Sequence, residues 1–541
     1  MWNRTCRVLL GCGVATVLWG CSPGGGGATH PGSPQEIRTL LRAIGPDPDS
    51  LDPQRAQTVE SQQVLRDLCE GLTSLDHTGA PAPGGASAWS VSADGKTYRF
   101  TLRSEARWSN GDPVVAEDYV AGLRRLVDPA TASKYAEVVD VIVNASDIVG
   151  GRKAPQTLGI TSPDPGTVVI QLNRPAGYFP GLLSHPSTCP VHRANLAQYG
   201  DRFMRAEHMV SNGAFVLREW VQNGALTAVR NPFYWNNAAT QLDVVKYFPI
   251  GDENAEFTRY RADQIQITAT IPRGQYEWIK GHFGAELHVS PILGTYFYGF
   301  DLRHFPFDDP KLRRALSLTI DRERLAQLVL RVGEIPAYGW VPPGVHDYKS
   351  QSFDYEGRPF ADRVAEARQL YREAGYSDAH PLRVQLVFNW GEVHTKLAVA
   401  IAAGWKDALG AEVTLRNEEF KVLVHDIETG QVGFFRSSWT GDYNDAYSFL
   451  QFLKSDFGVN QTHYQSAEYD AALAQGAQAV DDESRKAGFQ SAERIALRDH
   501  ALIPLYFYVS KHLVKPQVCG WYDNPMNVTY SKDLSLCAAA H

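Results

Sequence analysis

Residues 437–449 read SSWTGDYNDAYSF. Asp442 follows Trp-Thr-Gly and is set among Trp439, Tyr443, Tyr447 and Phe449. Apolar surroundings disfavour an ionised carboxyl group unless a partner compensates. Asp442 therefore either caps a solvated turn at Asp442-Tyr443-Asn444-Asp445, as Asx residues often do, or it waits for a cation from outside the chain.

Other chemistry-bearing residues do not assemble into a catalyst. Ser90–Thr97 (SVSADGKT) ends like a phosphate loop, but its first position is Ser rather than Gly. Asp94-Gly95 there falls between two strand-like runs and reads as a hairpin turn. There is no His-Glu-x-x-His, no Gly-x-Ser-x-Gly and no complete dinucleotide fingerprint. His185, His192 and His208 are dispersed without metal-ligand spacing. The reading is therefore a non-enzyme with no catalytic set, no metal and no cofactor.

The elements that must position these residues alternate between α and β. Tyr98–Leu102 and Thr167–Leu172 carry strand patterns. A helix is expected over 364–371, with Gly375 capping its end. A second is expected over 396–409, with Leu397, Ala400, Ile401, Gly404 and Ala408 on its inner face and Gly410 as the stop. Pro310 opens a third, with Leu312, Ala315 and Leu316 facing inward.

The N-terminal end sets the compartment. Arg4 and Arg7 precede the apolar run Val8–Gly20, a signal-peptide layout too short for a spanning helix. Leu18-Trp19-Gly20-Cys21 has the form of a bacterial lipobox, so 1–20 reads as a lipoprotein signal with Cys21 lipidated. Residues 21–35, rich in Gly, Pro and Ser, read as a flexible tether. Losing Arg4 and Arg7 takes the formal net charge from −8 to about −10, which argues against nucleic acid as a partner. The mature chain keeps Cys69, Cys189, Cys519 and Cys537; the last two flank the C-terminal segment and can pair in an oxidising compartment. The 541 residues imply several domains with large cores.

A long series of segments then carries a resemblance. Ala88-Trp89-Ser90, Asp94–Tyr98, Phe100–Arg103 and Ala106–Val114 (ARWSNGDPV) resemble the signature of the family-5 extracellular solute-binding proteins, in particular the oligopeptide-binding proteins of ABC importers. Arg66–Leu72, Pro81–Gly84, Asp128–Ala136, His185–Thr188, Asn231–Asn237 and Leu513–Pro516 extend the match in order to the C-terminus. The resemblance implies an α/β, two-lobed periplasmic-binding-protein fold (class II-like) with an extra domain and a hinge between lobes. Domain I would comprise about 36–68, 195–293 and 511–541, domain II about 69–194, and domain III about 294–510. The expected protein is a monomeric, lipid-anchored periplasmic receptor. It captures oligopeptides between closing lobes and delivers them to an inner-membrane ABC permease. A binder of murein tripeptide or another modified peptide is the alternative; an anchored hydrolase and a peptide-sensing receptor stand further off.

The resemblance also implies roles for residues. Asp442 would bind the peptide ammonium, with the surrounding aromatics excluding water. Arg436 and His394 would bind the far carboxylate, beside Asn389. Backbone groups of Thr440 and Gly441 would pair with the first ligand residues, and Trp439, Tyr135 and Phe420 would line the groove. Several family positions differ here. An acid becomes Ala56, a strand Glu becomes Gly299, and a disulfide pair becomes Gly294 and Thr440. A cluster Arg becomes Ile427, and a Lys becomes Leu330 beside Arg331. The basic end is thin, so preferred length or ligand class is expected to differ.

Overall fold

The computed structural model describes residues 37–537. The lipobox, Cys21 and the tether lie outside the described residues. Among the described residues no helix is long and apolar enough to cross a membrane, and no group of His, Cys, Asp and Glu could hold a metal ion. His185 and His192 instead act as caps, their rings accepting from the N–H groups of Ser187 and Asn195.

Three main sheets organise the chain. A four-stranded sheet runs in the order Thr39–Gly45, Val244–Pro249, Leu226–Arg230, Phe215–Trp220; its first pair is parallel and the rest antiparallel. A second, antiparallel throughout, orders Ala86–Val91, Thr97–Leu102, Thr167–Gln171 and Ile160–Asp164. In Thr97–Leu102 burial alternates, with Tyr98, Phe100 and Leu102 turned inward, as a half-buried strand requires. The expected Asp94-Gly95 hairpin joins its first two strands, closed by Ser92 N–H to the Thr97 carbonyl.

The third sheet has six strands, in the order Ile335–Pro336, Leu502–Leu513, Leu287–Phe300, Phe434–Thr440, Arg383–Asn389, Glu412–Glu418. Its two long strands are antiparallel: Leu287–Phe300 runs from beside the first sheet into the centre of the third, and Leu502–Leu513 runs back to the first sheet, where Ile267 bridges both Arg42 and Val514. Between them the register jumps from Pro291–Val509 to Thr295–Phe507. Ile292, Leu293 and Gly294 there face the single residue Tyr508, a bulge that re-aims the strand as bulges do.

The helices are longer than the sequence pattern suggested. The 364–371 pattern is the interior of Phe360–Glu373. The 396–409 pattern becomes Glu392–Leu409, stopped by Gly410 at φ 71°, a left-handed cap that glycine adopts without a Cβ penalty. Its inner face is rotated from the expected one: Leu397 and Ile401 are buried, joined by Ala398, Trp405 and Leu409 rather than Ala400, Gly404 and Ala408. Trp405 drives the rotation, because the largest side chain takes the core and donates its indole N–H to the Leu316 carbonyl at 2.9 Å. Pro310–Leu318 begins at its proline and buries Leu312, Ala315 and Leu316 as expected.

Cys519 and Cys537 form a disulfide. Cys69 and Cys189 form a second one, which the sequence pattern did not suggest, closing a separation of 120 residues. Cys69 ends the helix Val59–Leu68, so the bond pins that helix to a distant loop. Cross-links over long loops chiefly constrain the unfolded chain. Replacing both Cys69 and Cys189 by Ala is expected to cost about 2–5 kcal/mol. Urea unfolding checks this; a loss below roughly 0.5 kcal/mol would show that the cross-link adds little.

Candidate functional site

The strand Phe434–Thr440 carries the candidate site. Burial falls along it, from Phe434, Phe435 and Arg436 inside to Thr440 at the surface. Its antiparallel partner is Leu287–Phe300, with Thr440 opposite Gly294 and Arg436 opposite Tyr298. The two positions of the missing disulfide are thus cross-strand neighbours. After Thr440 the chain turns. The Gly441 N–H donates to the Leu293 carbonyl in the bulge at 2.9 Å. A Cβ at Gly441 would lie 2.8 Å from the Phe449 ring, so the close approach requires glycine.

Asp442 follows, facing a cavity of about 600 Å³. The cavity is lined also by Thr440, Gly441, Tyr135, Leu293, Glu60 and Met526. The side chain is exposed to that space. Protein on several sides nevertheless thins the surrounding water, and this desolvation pushes the carboxyl up to about 6. No hydrogen bond or ion pair to the Asp442 carboxylate is formed among the described residues; its backbone N–H donates to Ser448 Oγ at 3.1 Å. The turn is capped instead by Asp445, which accepts from the Tyr447 N–H at 2.8 Å and pairs with Arg485 at 2.7 Å.

The aromatics around Asp442 do not form its walls. Tyr443, Tyr447 and Phe449 are buried in the core, and Tyr443 stacks on Tyr178 at 4.5 Å between centroids. Trp439 is half-buried, donates its indole N–H to the Ser448 carbonyl at 2.7 Å and packs on Phe452. The bend after Thr440 and the short helix Tyr447–Leu450 carry these rings into the core while the acid turns outward. Tyr135 does line the cavity, with its hydroxyl held by Gln62 at 2.8 Å and donating to the Gln57 carbonyl at 3.1 Å. The Gly441 N–H is already taken, so only its carbonyl remains for a ligand.

Arg436 lies at the inner end of the same strand, 6% exposed. Its guanidinium donates to Asn389 Oδ1 at 2.9 Å, the Tyr508 hydroxyl at 3.2 Å and Ser438 Oγ at 3.4 Å. It stands 4.5 Å above the Tyr296 ring, and its Nε has no partner. Arg313 and Arg322, also buried, are saturated by backbone carbonyls. Arg436 has only neutral side chains, and no carboxylate pairs with it among the described residues. A buried cation of this kind leaves most of its charge uncompensated.

His394 lies in the first turn of Glu392–Leu409, stacked by Tyr296, whose hydroxyl is 3.2 Å from Nδ1. Burial, then Arg436 and Arg273, push its pKa down to about 4. It is neutral at pH 7, so the carboxylate contact the resemblance implies for it would be a hydrogen bond rather than an ion pair. Phe420 is 55% exposed at the start of Phe420–Glu428 and does not line the 600 Å³ cavity. Ile427 and Leu330 are core residues, and Arg331 is exposed beside Tyr276 and Glu334. A Cβ at Gly299 would meet the Phe435 ring at 2.5 Å, so that strand position has no room for a Glu. Ala56 is buried.

The structure therefore brings Asp442, Thr440, Gly441 and Tyr135 to one cavity and gathers Arg436, Asn389 and His394 with Tyr296 and Tyr508. Sequence reasoning missed Tyr296 and Tyr508 as holders of Arg436, because only the sheet order and register bring them together. At about 3.3 Å per residue, positions 436 and 440 stand roughly 13 Å apart. One strand thus carries an unpaired cation near one end and leads into an unpaired anion beyond the other. That layout suits an extended zwitterion.

The family described as bacterial extracellular solute-binding proteins, family 5 Middle, matches residues 80–461. The periplasmic oligopeptide-binding protein OppA of Escherichia coli is 36% identical over 99% of both chains. A protein of the same organism named "Probable deoxycholate-binding periplasmic protein YgiS" is 40% identical over 91% of this chain and 92% of its own. Among solved structures, the murein tripeptide-binding protein MppA in its unliganded open form superposes with a TM-score of 0.86 at 36% identity, covering 93% of this chain and 98% of that one. OppA of Haemophilus influenzae in complex with RPPGFSPFR gives 0.74 at 35%, covering 93% and 99%.

Because Asp442 accepts no proton donor of its own chain, a cation that pairs with it should bind only the ionised form. Binding is expected to be constant above about pH 7 and to weaken through pH 6, approaching tenfold per unit below. A direct check is the carboxyl chemical shift of Asp442 followed by NMR across pH 3–8. A midpoint near 4 would contradict the desolvated site.

Proposed function

Since the chain belongs to family 5 of the bacterial extracellular solute-binding proteins and has their two-lobed periplasmic binding fold, we propose that it captures oligopeptides between its lobes and delivers them to an ABC transporter permease. The observation that carries this reading is the pair of unpaired opposite charges, Asp442 and Arg436, served by one strand. A free peptide offers an ammonium, a carboxylate and a regular row of amide groups between them. The ammonium pairs with Asp442, and the carboxylate with Arg436 in a bidentate fork. Asn389 holds the guanidinium, and His394 supplies a neutral hydrogen bond. The Thr440 backbone and the Gly441 carbonyl pair with the first ligand residues as an added strand would. Tyr135 bounds the groove, Trp439 backs it from the core side, and Phe420, in the same domain as Arg436, lines its far end.

Ligand contacts made by both lobes favour the closed state, and closure biases docking to the permease. On this reading domain I comprises 36–68, 195–293 and 511–541, domain II 69–194 and domain III 294–510, with the two long strands of the third sheet as the hinge. Residues 1–20 act as a lipoprotein signal, Cys21 carries the lipid, and a monomer works at the periplasmic face without catalysis. A murein peptide meets the same charges, and the 36% identity to MppA over 93% of this chain and 94% of that protein supports it as the alternative ligand.

A second reading is an apolar anion, favoured by the 40% identity to a protein named for deoxycholate binding. Such a ligand has a carboxylate for Arg436 but no ammonium, and would leave Asp442 without a task. One variant separates the two. Asp442→Ala is expected to cost a tripeptide about 2–5 kcal/mol of binding, as truncation of a buried charge partner does. Isothermal titration calorimetry measures it. Unchanged peptide affinity would remove Asp442 from the site, and deoxycholate binding indifferent to the substitution would favour the anion.

A further inference from the structure

Trp390 is 66% exposed, a large apolar surface for a protein to leave in water. Its position is tied to the candidate site. Asn389, which holds the Arg436 guanidinium through Oδ1, donates its own amide to the Trp390 carbonyl at 3.2 Å. The Trp390 N–H donates to the Glu418 carbonyl at 3.0 Å. Asn389 and Glu418 are register partners at the carboxyl ends of two parallel strands. Phe420, 55% exposed, follows Glu418 by one intervening residue. Two exposed aromatics thus stand where adjacent strands end, beside a buried cation without a carboxylate partner. Ligands of open α/β sheets bind at the carboxyl ends of strands, and apolar walls around a few polar anchors mark ligand sites.

We infer that Trp390, with Phe420, forms an apolar shelf that receives the side chain of the ligand's carboxylate-terminal residue. The captured class is peptides ending in an aromatic or large aliphatic residue. This rests on the peptide reading above. Once the ligand carboxylate is on Arg436, the side chain of that same residue projects within a few ångströms of the anchor. An aromatic terminal side chain covers surface already apolar, whereas an acidic one would lose hydration against these rings without gaining a partner.

Calorimetry on the full-length protein tests this with tri- and tetrapeptides that differ only in the last residue, Phe, Ala or Asp. The expected order is Phe over Ala by about tenfold or more, with Asp weakest. Trp390→Ala should cut the Phe-to-Ala ratio below about threefold, and Trp390→Phe should restore most of it. A purely structural role would change all three ligands together and leave the ratio intact. A wild-type ratio below about twofold, or one unchanged in Trp390→Ala, overturns the shelf. If none of these peptides binds the wild-type protein, the peptide reading itself fails and the shelf falls with it.

Discussion

A carboxylate that its own chain leaves unneutralised constrains everything around it. Asp442 accepts no hydrogen bond and makes no ion pair among the described residues, while burial of its surroundings raises its pKa to about 6. The fold could have capped it with a turn, but Asp445 does that work three residues on. At the other end of the adjoining strand, Arg436 is nearly enclosed with only neutral partners. A fold that brought the two together would satisfy both. The extended strand between them keeps them apart, so each charge stays available to a guest.

Arg436 also sets the charge of its neighbour. His394 sits beside Arg436, and two neighbouring cations would repel. Desolvation and the guanidinium keep the imidazole neutral at pH 7. The tyrosines Tyr296, Tyr506 and Tyr508 line this end with polarisable rings and hydroxyls rather than charges. The scaffold beneath is a pair of long strands crossing from the first sheet to the third. Their bulge at Ile292–Gly294 bonds directly to Gly441. The acid therefore hangs from the place where the strands change course.

Much of this was legible in the sequence, for identifiable reasons. Local chemistry was: the Asp94-Gly95 turn, the proline at the start of Pro310–Leu318 and the Gly410 stop each follow from the conformational needs of one or two residues. The family resemblance supplied the order of the site residues. What stayed hidden depends on register and burial. Which face of Glu392–Leu409 turns inward was decided by Trp405, and pairing of Cys69 with Cys189 requires segments far apart in the chain. The resemblance sets the aromatics near Asp442 as its shield, but Tyr443, Tyr447 and Phe449 pack into the core. It gives His394 as a carboxylate ligand, and burial beside Arg436 leaves that ligand neutral. Proximity in sequence names the residues at a site but does not give their orientation or protonation.

The central claim is that a guest's ammonium supplies the charge Asp442 lacks. A crystal structure of the protein with a bound tripeptide or tetrapeptide tests it most directly. The account predicts closed lobes, the ligand nitrogen at hydrogen-bonding distance, about 2.7–3.2 Å, from the Asp442 carboxylate, and the ligand carboxylate on Arg436. A closed, occupied structure in which Asp442 meets only solvent, or a lysine or arginine of its own chain, would contradict it.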